Sequence, residues 1–162
     1  MSAIVLGVGE YGATNKSGEA VKTFALGSCV AVILLEPKTR TVGMVHVALP
    51  DSKIDANRAK ERPGYFADTG LPALIELMGA AGCTRNGKGM IVKLVGGANV
   101  MDTSNTFNIG KRNVIALKKL LWQRGMGALA EDIGGHISRT VTVEVDTGKV
   151  LITSSGRDGW EI

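Results

Sequence analysis

Two side chains in this chain can combine as a nucleophile and its base, Cys29 and His46. Cys29 follows a Gly27-Ser28 turn and heads the apolar run Val30 to Leu35, while His46 lies on the next apolar run, Thr41 to Ala48. Glu36-Pro37-Lys38-Thr39 joins the two runs. Proline already holds the φ required at the first central position of a turn, so the segment predicts an antiparallel hairpin centred on Pro37 and Lys38. That register sets Cys29 directly opposite His46, both side chains on one face and their Cβ atoms about 5 Å apart. Everything rests on register, because a slip of one residue sends the two side chains to opposite faces. A thiol and an imidazole held in this way can share a proton, as a Cys-His hydrolase requires. The turn exposes the sulfur and supplies backbone N–H groups for an oxyanion. An imidazole there is expected to lower the apparent thiol pKa by stabilising the thiolate as an ion pair.

A third group must orient the imidazole. Thr23 on the preceding strand is a candidate, and Asp132 and Asp68 stay open as alternatives. His136, the other histidine, is a second candidate base; it follows Gly134-Gly135 in an expected loop, and no spacing ties it to Cys29. Each residue also has a plainer role, since free cysteines usually fill core space and a lone histidine in an apolar strand usually bonds a carbonyl. Cys83, in Ala-Gly-Cys-Thr-Arg-Asn-Gly after a helix, reads as a thiol without chemistry.

Gly7-Val8-Gly9-Glu10-Tyr11-Gly12 matches the dinucleotide-binding glycine pattern after an apolar strand. That fingerprint needs its third glycine to open a helix, and the turn-forming stretch Ala13 to Gly18 argues against one. The two cysteines and two histidines have no metal-ligand spacing, so neither a metal nor an organic cofactor is expected.

The elements that must position these residues fit in 162 residues, read as one domain over residues 1–162 with a core that needs no staple. Apolar residues at 44% and charged residues at 21% are ordinary for a globular chain. The N-terminus lacks the pattern of a signal peptide, and no apolar run reaches the roughly 20 residues that span a bilayer. A cytoplasmic location without membrane insertion is the expectation, and it keeps both thiols reduced. The net charge of +4 is spread along the chain, and two Trp, two Tyr and three Phe give little to stack on bases, so no nucleic-acid partner is expected.

Strands are predicted near residues 3–8, 22–26, 30–35, 41–48, 90–95, 128–132, 140–145 and 149–153. A polar loop is expected through Gly18 and another over residues 50–64. The continuous apolarity of Val30 to Leu35 predicts burial on both faces. Helices are predicted over residues 68–81, with Pro72 in the first turn, and over 108–124. The second carries Asn108 as a cap and an apolar face of Val114, Ile115, Leu117, Leu120 and Leu121. Val141, Val143 and Val145 alternate with polar residues, the pattern of a half-buried strand, and Asp146-Thr147-Gly148 is the turn after it. The class is α/β of the α+β kind, an antiparallel or mixed β-sandwich flanked by helices.

With these residues in view, the chain resembles the CheD family of chemoreceptor glutamine deamidases. The resemblance rests on Leu26-Gly27-Ser28-Cys29-Val30, on His46 followed by Leu49-Pro50, and on Lys93-Leu94-Val95-Gly96-Gly97-Ala98. It continues through Ile109-Gly110-Lys111-Arg112-Asn113, Glu131-Asp132-Ile133-Gly134-Gly135, Arg139 and Thr147-Gly148. It implies a catalytic set of Cys29, His46 and Thr23, and a fold related to the catalytic domain of cytotoxic necrotizing factor toxins. It also implies glutamine on the cytoplasmic helices of chemoreceptors as substrate, and a CheC-type phosphatase as a further partner. The chain departs from the family at Val42-Gly43, where a double glycine is frequent, and at Val100-Met101, where Met-Phe is common. Other readings of the same residues are a non-catalytic regulator of such a phosphatase, or a Cys-His protease or transglutaminase.

Overall fold

A computed structural model describes residues 2–100 and 107–162. In chain order the strands are β1 (Ser2–Leu6), β2 (Tyr11–Thr14), β3 (Glu19–Leu26), β4 (Val30–Glu36) and β5 (Thr41–Val47). Helices α1 (Ala56–Glu61) and α2 (Ala67–Ala80) follow, then β6 (Ile91–Gly96) and α3 (Ile109–Gln123). The chain closes with β7 (Ala128–Ile133), β8 (Arg139–Glu144), β9 (Val150–Thr153) and β10 (Trp160–Glu161). One five-stranded sheet has the order β1-β3-β8-β9-β10 and the other β2-β5-β4-β6-β7. Each is mixed, with one parallel pair, β1 with β3 and β6 with β7.

The layers follow from the side-chain pattern. Residues of β4 and β5 alternate between two cores, and every residue of both strands is buried. Ala31, Ile33, Val42 and Met44 meet Val21, Val141 and Val143 of the facing sheet. Val30, Val32, Val45 and Val47 pack instead with Leu71, Leu74, Leu117 and Leu121 of α2 and α3. The continuous apolar run of β4 is thus the middle of a sandwich covered by helices. β8 shows the expected alternation, with Val141 and Val143 fully buried between half-buried threonines. No helix of the described residues is long and apolar enough to cross a membrane.

The register of the β4–β5 hairpin corrects the sequence expectation. His46 pairs with Ala31, and Glu36 with Thr41, which leaves a four-residue loop, Pro37 to Arg40. The Arg40 N–H donates to the Pro37 carbonyl at 3.2 Å, and Arg40 adopts φ +54°. Proline cannot enter the mirror-image two-residue turn, so the connection lengthens to a form with a left-handed last residue. Cys29 therefore lies just before β4, displaced by two residues from direct opposition to His46. An even shift preserves the face. Both residues remain on the side of the sheet that looks toward β3.

Other boundaries moved as well. Strand β2 and helix α1 occupy stretches expected to be loop. Asn108 precedes α3 in the left-handed region, φ +53°, without a side-chain cap bond. Ile115 is 56% exposed, while Val114, Leu117 and Leu121 carry the buried face.

Candidate active site

Thr23 is fully buried on β3, where it pairs with Leu6 of β1. Its Oγ1 donates to the Leu6 carbonyl at 2.8 Å and lies 2.7 Å from His46 Nδ1. A hydroxyl has one proton and a carbonyl can only accept. The Thr23 proton is thereby committed to Leu6, and His46 must donate from Nδ1. This assigns the tautomer with a lone pair on Nε2, the form a general base needs. Leu6 enters the site through its carbonyl alone, which no side-chain pattern in the sequence announces.

His46 is 3% exposed. Burial pushes its pKa below the ordinary 6.5 to about 4, although the negative charge of Glu10 raises it. Burial also raises the Cys29 thiol above 9.0, opposed by a backbone N–H bond of Cys29 itself. Burial thus works against the charged form of each group, opposite in direction to the lowered thiol pKa that the sequence reading expects. Removing a group from water disfavours its charged form until an opposite charge compensates it.

The Gly27-Ser28-Cys29 turn is tied down at three successive carbonyls. Gly27 O accepts from Ala98 N–H at 2.8 Å, Ser28 O from Asn113 Nδ2 at 2.9 Å, and Cys29 O from Gly97 N–H at 2.8 Å. In a trans peptide the next N–H points opposite to the carbonyl, so these bonds also fix where the N–H groups of Ser28, Cys29 and Val30 point. Gly96 makes the approach feasible, because a Cβ there would lie 2.3 Å from the Cys29 carbonyl oxygen. Asn113, fully buried, spends its other Nδ2 proton on Ala48 O at 3.0 Å. It joins the Cys29 turn to the end of the strand that carries His46. Its Oδ1 is buried without a hydrogen-bond partner among the described residues, and a flipped amide would set that oxygen against two carbonyls. Asn113 was visible in the sequence only as part of the Gly110-Lys111-Arg112-Asn113 block.

The remaining candidates lie in other networks. His136 Nδ1 is 2.9 Å from the Asn99 carbonyl. Asp132 accepts from Arg139 Nε at 3.0 Å and from the Trp160 indole. Asp68 takes the backbone and side chain of Ser52 at 2.9 and 2.6 Å. Cys83 is buried, with its sulfur 3.4 Å from Thr39 Oγ1. A cleft of about 250 Å³ opens beside the Gly27-Ser28 turn, lined by Gly27, Ser28, Ala98, Val100, Phe107 and Ile109. Of the divergent Val100-Met101 pair, Met101 lies outside the described residues.

Comparison with known proteins adds independent information. Residues 48–154 match the family model described as CheD chemotactic sensory transduction. A probable chemoreceptor glutamine deamidase CheD of Syntrophotalea carbinolica is 53% identical over 162 residues, the full length of both chains. The chemoreceptor glutamine deamidase CheD of Thermotoga maritima is 40% identical over 152 residues, 94% of this chain and 92% of its own. A probable chemoreceptor glutamine deamidase CheD from Methanococcus maripaludis is 39% identical over 138 residues, 85% and 86% of the two chains. The model match begins after His46, but the alignment with the Syntrophotalea protein spans Thr23, Cys29 and His46 as well.

Proposed function

Since this chain belongs to the CheD family, we propose that it is a chemoreceptor glutamine deamidase, with Cys29 as nucleophile, His46 as base and Thr23 as the group that orients the imidazole. The relatives' names support the activity and the receptor substrate. The residue assignment is supported above all by the 2.7 Å contact of Thr23 Oγ1 with His46 Nδ1, with the hydroxyl proton committed to Leu6.

The receptor glutamine enters beside the Gly27-Ser28 turn, its carboxamide carbon facing the Cys29 sulfur. His46 Nε2 takes the thiol proton as the S–C bond forms, so the imidazolium exists only while the negative charge of the tetrahedral intermediate balances it. Backbone N–H groups of the anchored turn, that of Cys29 first, hold the oxyanion. The C–N bond then breaks and His46 returns the proton to the leaving nitrogen, giving ammonia and a thioester. Water, deprotonated by the same imidazole, attacks the thioester; glutamate leaves and Cys29 recovers its proton. The new carboxylate is the change by which a receptor is tuned. In the same proposal, residues 1–162 act as one deamidase domain in the cytoplasm, and a CheC-type phosphatase is a second partner, as the family resemblance implies.

Mass spectrometry of a chemoreceptor cytoplasmic fragment tests this reading. The expected result is conversion of specific glutamines to glutamates with stoichiometric ammonia, abolished in Cys29→Ala and retained in Cys83→Ala. Cleaved peptides or cross-linked amines would replace it with a protease or transglutaminase, and a dead Cys83→Ala enzyme would reassign the nucleophile.

A further inference from the structure

The glycine motif that resembled a dinucleotide loop has another use here. Glu10 N–H donates to Gly7 O at 3.1 Å, and Gly9, third in this four-residue turn, has φ +80°. A turn with a left-handed third residue is of type II and calls for glycine. A Cβ on Gly9 would also fall 2.6 Å from Arg62 Cδ. Immediately after the turn, Gly9 N–H donates to the His46 carbonyl at 2.8 Å and His46 N–H donates to the Glu10 carbonyl at 3.0 Å. Two residues thus face one, with a left-handed glycine first, which is a G1 bulge. The bulge falls on the histidine.

Its effect is to set Glu10 across from His46. Beyond the bulge Tyr11 pairs with Val45 and Gly12 with Met44. Tyr11 packs into the helix-side core, so the alternation of a strand turns Glu10 and Gly12 to the other face. That is the face of Met44 and His46, where a Gly12 Cβ would meet Leu6. The Glu10 carboxylate is held in place because its Oε1 accepts from Gly7 N–H.

We propose that Glu10 is a positioning residue of the deamidase site, its carboxylate fixed by the Gly7–Glu10 turn so as to stabilise the imidazolium that His46 becomes during thiol attack. The inference rests on the deamidase reading above. Among the described residues, the titratable groups on the sheet face of His46 nearest to it are Cys29, just before β4, and Glu10 at the bulge. Arg62 covers the outside of the turn, with its Nη1 bonded to Val8 O at 2.7 Å. Burial is the larger influence and lowers the His46 pKa, and Glu10 is the charge that opposes it. Glu10 gains and loses no proton in the cycle; it only makes proton transfer to Nε2 less unfavourable.

Glu10→Gln separates charge from architecture, since a glutamine oxygen can still accept from Gly7 N–H. The expected result is a fall in kcat of roughly three- to tenfold from a weakened base, with KM and thermal stability unchanged. In parallel, the NMR titration midpoint of the His46 ring should move to lower pH, with His136 as the internal reference. Wild-type kcat together with an unmoved midpoint overturns the proposal. So does a Glu10→Gln protein as thermally destabilised as Glu10→Ala, because the carboxylate would then only hold the turn. Should the wild-type protein deamidate nothing, the deamidase reading fails, and the titration still decides whether Glu10 acts on His46.

Discussion

Thr23 has one proton, and where that proton goes decides which nitrogen of His46 can act as a base. With that hydroxyl donated to Leu6 O, the imidazole donates from Nδ1 and keeps Nε2 free. Thr23→Val preserves the β-branched shape and removes this constraint. It also leaves the Leu6 carbonyl and the His46 donor without each other's intermediary in a buried site, at a cost of about 1–3 kcal/mol of stability. The expected kinetic result is a loss on the order of tenfold in kcat, since about 1.4 kcal/mol of barrier is tenfold in rate, with KM little changed. Thr23→Ser should recover most of the turnover. Nitrogen-15 NMR of the ring should show Nδ1–H in the wild type and a mixture of tautomers in Thr23→Val. A single Nδ1–H tautomer in the valine variant would remove Thr23 from its orienting role.

At the scale of elements, the site depends on three segments being stapled at one point, and Asn113 of α3 is the staple. It bonds the carbonyls of Ser28 and Ala48, the first beside Cys29 and the second just past the strand of His46. Asn113→Ala should cost about 1–3 kcal/mol in denaturant unfolding and lower kcat further than that loss explains. Asn113→Asp should be worse, because it sets a carboxylate against two carbonyls; an unpaired buried charge costs about 3–5 kcal/mol. Unchanged kcat in a folded Asn113→Ala protein would show that the turn holds itself. The same elements show what the sequence could disclose. Burial of β4 on both faces and alternation in β8 were legible because side-chain period is a local property. The hairpin register was misread because a sequence names Pro37 without giving the length of the loop it enforces, and only an even error kept Cys29 and His46 on one face. Strand β2 was missed because its pairing with β5 is set by a bulge at Gly9 and Glu10, and its Gly12 and Ala13 give no apolar period. Carbonyl partners such as Leu6 O are invisible to any reading of side chains.

Over the whole molecule, the buried titratable groups should make stability a plateau in pH. His46 has a folded pKa of about 4 against an ordinary 6.5, so as pH falls through this window the unfolded chain takes up a proton that the folded chain refuses. Stability is therefore complete above about 6.5 and declines toward 4. At about 1.4 kcal/mol per pH unit the loss comes to about 3 kcal/mol. Glu36, 4% exposed, extends the decline. Its carboxylate is held below 4.5 chiefly by the Thr84 N–H, with hydroxyls of Thr39 and Thr84 assisting against burial. Its contribution is present above 4.5 and disappears as pH falls through the lower folded value. Cys29 limits the other side: its thiol is raised above 9.0 by burial, so its contribution is full below 9.0 and is lost as pH climbs through the folded value. Urea unfolding across pH should thus give a plateau from about 6.5 to 9, with an acid slope that begins at the histidine. His46→Gln should flatten the slope between pH 6.5 and 4 while leaving the Glu36 decline below it, and Cys29→Ser should flatten the alkaline side. An acid slope unchanged in His46→Gln would mean that His46 is not held neutral in the folded chain.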